Sequence, residues 1–85
     1  MSYKIQIEKR ALKQLASLQK PFNKKIKSII SSLIDDPRPK GIKKLHGKKS
    51  IYRLRQGRYR IAIFIDDKSK CVKILKVGDR KDVYK

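Results

Sequence analysis

Hydrophobic and polar positions change period several times along the chain. Tyr3, Ile5 and Ile7 alternate with Lys4 and Gln6, the period of a half-buried strand. From about Glu8 the period becomes helical. Ala11, Leu12, Leu15, Ala16 and Leu18 fall on one face, with Lys9, Arg10, Lys13 and Gln14 turned outward. Pro21 suits the first position of a second helix, where its missing N–H would be unpaired anyway. That helix carries Phe22, Ile26, Ile29, Ile30, Leu33 and Ile34 at the matching spacing and stops at Asp35-Asp36-Pro37. Neither short helix can hide its stripe alone, so the two form a hairpin packed on one face of a sheet.

The connection from Asp35 to Ser50 is long for so small a chain, and such loops tend to be functional. Its Lys40, Lys43, Lys44, Lys48 and Lys49 can guide a polyanionic backbone, while Ile42 and Leu45 can pin it to the core. Ser50 to Ile65, SIYRLRQGRYRIAIFI, then reads as a β-hairpin. With Gln56-Gly57 as a two-residue turn, Arg55 opposes Arg58 and Arg53 opposes Arg60, so four arginines share one face. Tyr52, Leu54, Tyr59 and Ile61 share the other. Any even loop length keeps this sorting, and an odd one mixes the faces. After a turn at Asp66 to Lys70, Val72, Ile74, Leu75 and Val77 make a last strand that ends at Gly78, followed by a polar tail. The outline is a single α+β domain over residues 1–85, β-α-α-β-β-β, with a small antiparallel sheet and an N-terminal two-helix hairpin packed on one face.

Charge changes this picture from a fold to a function class. Twenty-five Lys+Arg against seven Asp+Glu give a net charge of +18, which implies a polyanionic partner and salt-dependent binding. From Pro37 to Ile65 there are ten basic residues and no acidic one, so the field is a patch centred on the hairpin. Like charges opposed across strands destabilise by a few tenths to about 1 kcal/mol per pair. Arginine's planar fork fits phosphate oxygens, and a bound polyanion relieves that repulsion. The helices use their apolar faces on a core, which disfavours a membrane-surface role. Cys71 is the only cysteine and no apolar run reaches spanning length, so the expectation is a cytoplasmic protein without disulfides.

Candidate chemistry is narrow. There is no Cys/His cluster for a metal and no Gly-rich phosphate loop, and His46 stands alone in a loop, where it reads as a surface residue. The acidic pairs Asp35-Asp36 and Asp66-Asp67 sit in turns. No metal or cofactor is expected. Arg, Lys and Tyr can still cleave RNA, whose own 2′-OH is the nucleophile, by aligning it and stabilising the charge that develops on phosphorus.

Lys44-Leu45-His46-Gly47, Tyr52-Arg53-Leu54-Arg55, Gly57-Arg58-Tyr59-Arg60-Ile61 and Val77-Gly78-Asp79-Arg80-Lys81-Asp82-Val83-Tyr84, in that order and spacing, resemble the RelE/ParE toxin superfamily of toxin–antitoxin systems, and specifically its RelE-type mRNA interferases. The resemblance covers essentially the whole chain. It implies a ribosome-dependent endoribonuclease that cuts mRNA in the A site by 2′-OH attack and inhibits translation, held in check by a cognate antitoxin with an acidic or amphipathic segment. It assigns Arg60 to the scissile phosphate, Arg80 to the leaving oxygen and Tyr84 to the 2′-OH. Arg53, Arg55, Arg58, Lys43, Lys44, Lys48 and Lys49 are the expected RNA-binding set. Some relatives carry lysine where this chain has Arg53 and Arg55; because arginine does not deprotonate, those two take an electrostatic role only. The competing readings are a ParE-like toxin that inhibits DNA gyrase and a non-catalytic basic RNA-binding module.

Overall fold

The computed structural model describes residues 2–45, 47 and 49–79. The alternation at the N-terminus becomes β1 (Lys4–Ile7), and the two amphipathic runs become α1 (Lys9–Ala16) and α2 (Lys20–Ser32), with Pro21 in the first turn of α2. The long connection contains a short strand, β2 (Lys43–Lys44), before β3 (Ile51–Gln56), β4 (Tyr59–Asp66) and β5 (Cys71–Asp79). The five strands form one open sheet in the order β1-β5-β4-β3-β2, an α+β fold with the helix pair before the β2 to β5 meander. Two features go beyond the expected outline: β2 adds an edge, and β1 runs parallel to β5, so the sheet is mixed. Parallel neighbours need a long connection, and here almost the whole chain separates the two strands.

The hairpin keeps its expected faces in a different register. Gln56 opposes Tyr59, Arg55 opposes Arg60, Leu54 opposes Ile61 and Arg53 opposes Ala62. The turn is therefore Gly57-Arg58 rather than Gln56-Gly57. Gly57 has φ +59°, the positive value that the first position of a type II′ turn requires and that glycine adopts at little cost. The change is by two residues in the pairing sum, so parity, and with it the sorting of side chains, survives.

The core lies between the helices and one face of the sheet. Ala11 and Leu15 of α1 and Ile26, Ile30 and Leu33 from α2 and its C-cap meet Leu54, Ile61, Ile63, Ile65, Val72, Ile74 and Val77. The apolar stripe is narrower than the sequence suggests. Leu12 is 53% exposed, Ala16 is exposed, and Phe22 and Ile34 stand at the margin. On β5, Val72 and Ile74 differ in parity from Val77, yet all three are buried. The sheet resolves this with a β-bulge: Ala62 pairs with Lys76 but Ile63 with Ile74, leaving Leu75 as the extra residue.

Polar side chains brace the frame where strands run out. β1 stops opposite Ile74, so the Val77 N–H beyond it has no strand to meet; Gln14 of α1 turns inward, against its expected outward placement, and its Oε1 accepts that N–H at 2.8 Å. Asn23 of α2 donates to the Leu15 carbonyl at 2.7 Å and ties the helices together. At the other end of the sheet, Arg38 donates to both carboxylate oxygens of Asp67 at 2.9 Å each and to the Tyr52 hydroxyl at 3.1 Å. The Tyr3 hydroxyl donates to Asp67 at 2.7 Å, and the Tyr3 N–H donates to the Ile34 carbonyl at 2.8 Å. This clasp fastens the connection after α2 to β1, β3 and the β4–β5 turn. Ile42 packs against the core as expected, whereas Leu45 crosses to the opposite face beside Ala62 and Leu75.

Candidate nucleic-acid interface

The sheet face turned away from the helices carries the arginines, and strand register fixes their neighbours. One row crosses the sheet as Lys43, Arg53, Ala62 and Lys76. The next row is Arg55, Arg60 and Gly78. Basic side chains therefore surround a floor of two small residues, Ala62 and Gly78, and neither row contains an acid. Arg53 and Arg60 are half-buried, Arg55 and Lys43 are exposed, and the Arg60 Nε is shielded from solvent. A shielded stem and an arginine neighbour confine the Arg60 guanidinium far more than an open surface would.

The carboxylates of the Asp66-Asp67 turn are engaged elsewhere. Asp67 is held down to about 2, first by the Arg38 hydrogen bonds and then by the Tyr3 hydroxyl. The same contacts push the Arg38 guanidinium and the Tyr3 hydroxyl upward, with the hydrogen bond to Asp67 the main cause in each. Asp66 is lowered by the Ser69 hydroxyl at 2.7 Å and by the Ser69 and Lys68 N–H groups. Among the described residues no group of three or more His, Cys, Asp or Glu gathers in a way that could hold a metal ion. Guanidinium groups do not exchange protons near neutral pH, so the arginines of the two rows can bind a phosphate and stabilise added charge on it, but they supply neither the nucleophile nor its proton acceptor.

The expected site residues do not all share one place. Arg53, Arg55, Arg60 and Lys43 are brought together on the open face. Two others are not: Lys44 pairs with Tyr52 and so has the opposite parity to Lys43, and Arg58 turns over the hairpin tip to stand 5.7 Å above the Tyr59 ring on the helix side. The four-arginine face is thus a three-arginine face, because the turn falls one residue later and takes Arg58 out of the strand. Lys49 is exposed in the turn before β3. Arg80, Tyr84, Lys48 and His46 lie outside the described residues.

A family model described as the ParE toxin of the type II toxin–antitoxin system parDE matches residues 5–84. The chain belongs to the RelE/ParE toxin superfamily. This toxin is 34% identical, over 100% of its own length and 98% of the relative's, to a protein of Methanocaldococcus jannaschii carried provisionally under the name toxin RelE1. Its fold is similar to that in the archaeal RelE–RelB complex from Pyrococcus horikoshii OT3, with a TM-score of 0.84 and 32% identity over 96% of this chain and 99% of that one. The isolated E. coli RelE toxin gives a TM-score of 0.80 and 25% identity, covering 98% of this chain and 92% of that one.

Two features of the toxin's open face are absent from the expected set. Lys76 completes the first row and Lys73 lies beyond it, opposite Phe64. The bulge at Leu75 hides this in the sequence, because simple alternation puts Lys73 and Lys76 on opposite faces. Beside the basic rows, Ile51 and Phe64 oppose one another on the same face, next to Leu45 and Leu75. The signal for that apolar ground was legible: Ile61 to Ile65 is an unbroken apolar run, the pattern of a strand covered on both faces. Among the described residues no helix is long and apolar enough to cross a membrane.

Proposed function

We propose that this toxin is a metal-independent endoribonuclease that cuts mRNA in the ribosomal A site by attack of the substrate's own 2′-OH, and so inhibits translation. The observation that carries the reading is the placement of Arg55 directly opposite Arg60, next to a row holding Lys43, Arg53 and Lys76, around the small residues Ala62 and Gly78. Arg60 binds the scissile phosphate and stabilises the charge that builds on it, with Arg53, Arg55 and Lys43 holding the neighbouring phosphates. Arg80 acts at the leaving oxygen and Tyr84 at the 2′-OH. A cognate antitoxin presenting an acidic or amphipathic segment neutralises the basic surface; the structural relatives described as RelE–RelB complexes support an antitoxin partner.

The test is primer extension on a defined mRNA in a translating extract, with and without ribosomes, for wild type, Arg60→Ala and Tyr84→Phe. Cuts that need ribosomes and disappear in both variants are the expected result. Intact mRNA and undisturbed translation with folded wild-type protein overturn the reading. The ParE description of the matching family model favours one alternative, a toxin that inhibits DNA gyrase, and a supercoiling assay on the same preparations distinguishes it.

A further inference from the structure

The tip of the β3–β4 hairpin carries a second surface on the side away from the arginine rows. There Phe22, Lys25 and Ile26 of α2 face Gln56, Arg58 and Tyr59 across a shallow recess. The Phe22 and Tyr59 ring centroids are 5.1 Å apart at an interplanar angle of 52°, and the Arg58 guanidinium stands 5.7 Å from the Tyr59 centroid. Phe22 remains 36% exposed although it opens the apolar stripe of α2. Among the described residues the lining contains two cations and no acid. Lys20, Lys24 and Lys27 extend the positive field along the exposed side of the same helix.

We infer that this recess is a stacking site for an unpaired nucleobase of single-stranded RNA, with Arg58 and Lys25 taking the adjoining phosphates. An aromatic surface rimmed by cations suits a base attached to a negatively charged backbone, and every base offers a π-face to it. An apolar peptide anchor would find the same rings but gain nothing from the excess of positive charge unless it were itself acidic. The hairpin tip separates the recess from the Arg55–Arg60 pair and is open at Gly57, which has free space where a side chain would stand. One RNA strand can therefore pass over the tip, with a base on Phe22 and Tyr59 and phosphates on Arg55 and Arg60. This inference rests on the RNA reading above and adds a base-holding surface on the side of the hairpin away from the arginine rows.

The experiment compares, by equilibrium binding at fixed low salt, a single-stranded oligouridylate with an abasic oligonucleotide of the same length and charge. Stacking contributes about 1–3 kcal/mol per base, so wild type is expected to prefer the base-bearing strand by at least about fivefold. Phe22→Leu keeps an apolar side chain of similar size and is expected to lose that preference while binding the abasic strand as wild type does. Phe22→Tyr restores it. Arg55→Gln should weaken both ligands and keep the preference. Equal wild-type affinity for the two strands, or a preference that survives both Phe22→Leu and Tyr59→Leu, overturns the stacking site while leaving the RNA reading in place. Failure of wild type to bind either strand or ribosomes removes the RNA reading itself. If an acidic, leucine-containing peptide shifts the Phe22 and Arg58 amide resonances and the RNA does not, the recess belongs to a protein segment and the inference falls.

Discussion

The two ends of the sheet use arginine in opposite ways. At the clasp, Arg38 meets Asp67 through two 2.9 Å hydrogen bonds, and its guanidinium lies 5.1 Å from the centroid of the Tyr52 ring. At the hairpin end, Arg55 faces Arg60 across the strands, with Lys43, Arg53 and Lys76 in the next row. The clasp satisfies its cation with a carboxylate and gains rigidity. The basic rows set like charge beside like charge, which costs stability that a bound anion relieves. The same residue type thus fastens the frame at one end of the sheet and lines the candidate interface at the other.

The largest expected effect breaks the basic end. Arg60→Ala should lower the rate of ribosome-dependent mRNA cleavage by about 10²–10³, the usual loss for removing one donor from a developing negative charge. A time course on programmed ribosomes, alongside a melting curve, checks it. A variant that melts as wild type does and cuts as fast would show that Arg60 is only a surface cation. Asp67→Asn is the matched change at the clasp: a lower melting temperature with no change in cleavage per folded molecule.

Next in size is the brace beneath the basic rows. Gln14 stands in for a missing strand at Val77, between Lys76 and Gly78 of the two rows. Gln14→Ala leaves that N–H without its acceptor, at a cost of about 1–3 kcal/mol that urea denaturation would read. The hydrogen exchange of Val77 should rise more than that of Val72, whose surroundings lie at the other end of β5. Equal protection at both positions would mean that α1 does not hold this half of the strand.

Most of the fold was legible because it follows from periodicity. The 3.6 spacing of Ala11, Leu15 and Leu18 and of Ile26, Ile30 and Leu33 specified the helices, and the Tyr-x-Leu and Tyr-x-Ile alternation sorted the hairpin's faces. The site was legible to the extent that parity survives. Arg53, Arg55 and Arg60 stayed together when the turn moved from Gln56-Gly57 to Gly57-Arg58, because the loop stayed two residues long and the pairing sum changed by an even number. Arg58 left the face because a turn residue has no strand parity. Lys76 was hidden by the bulge at Leu75, and the inward turn of Gln14 depends on where β1 ends, a tertiary fact that no local pattern carries. The partnering of Arg38 with Asp67, residues far apart in sequence, was equally invisible to spacing.

Arg55→Gln sharpens the comparison at the basic end. Removing one of two opposed charges should stabilise the free protein by a few tenths to about 1 kcal/mol while weakening RNA binding. It should also reduce the slope of log affinity against log salt by about one, the signature of one fewer neutralised phosphate. Stabilisation together with a shallower slope would show that the repulsion is maintained for the ligand. An unchanged slope would place the phosphates on some other surface.

The smallest effect is a pH window at the clasp. Asp67 has its folded pKa depressed from an ordinary 3.8 to about 2 by Arg38 and Tyr3. Its contribution is therefore complete above 3.8 and is lost as the pH falls from there through 2. Tyr3 is shifted the other way, upward from 10.0, chiefly because it donates to Asp67. Its contribution is complete below 10 and is lost as the pH rises through the higher folded value. The two groups share one hydrogen bond, so the difference in melting temperature between wild type and Asp67→Asn should be largest on the plateau between these limits and shrink at both. Tyr3→Phe should remove the alkaline limb and leave most of the acid limb, because Arg38 remains the main cause of the Asp67 shift. Asp66, lowered by Ser69, adds an acid limb that persists in Asp67→Asn and diminishes in Ser69→Ala. The basic rows contain no carboxylate, so none of these changes should alter the acid dependence of RNA binding once melting is accounted for. If the Asp67→Asn difference is flat from neutral pH down to 2, the clasp is not what fastens this end of the sheet.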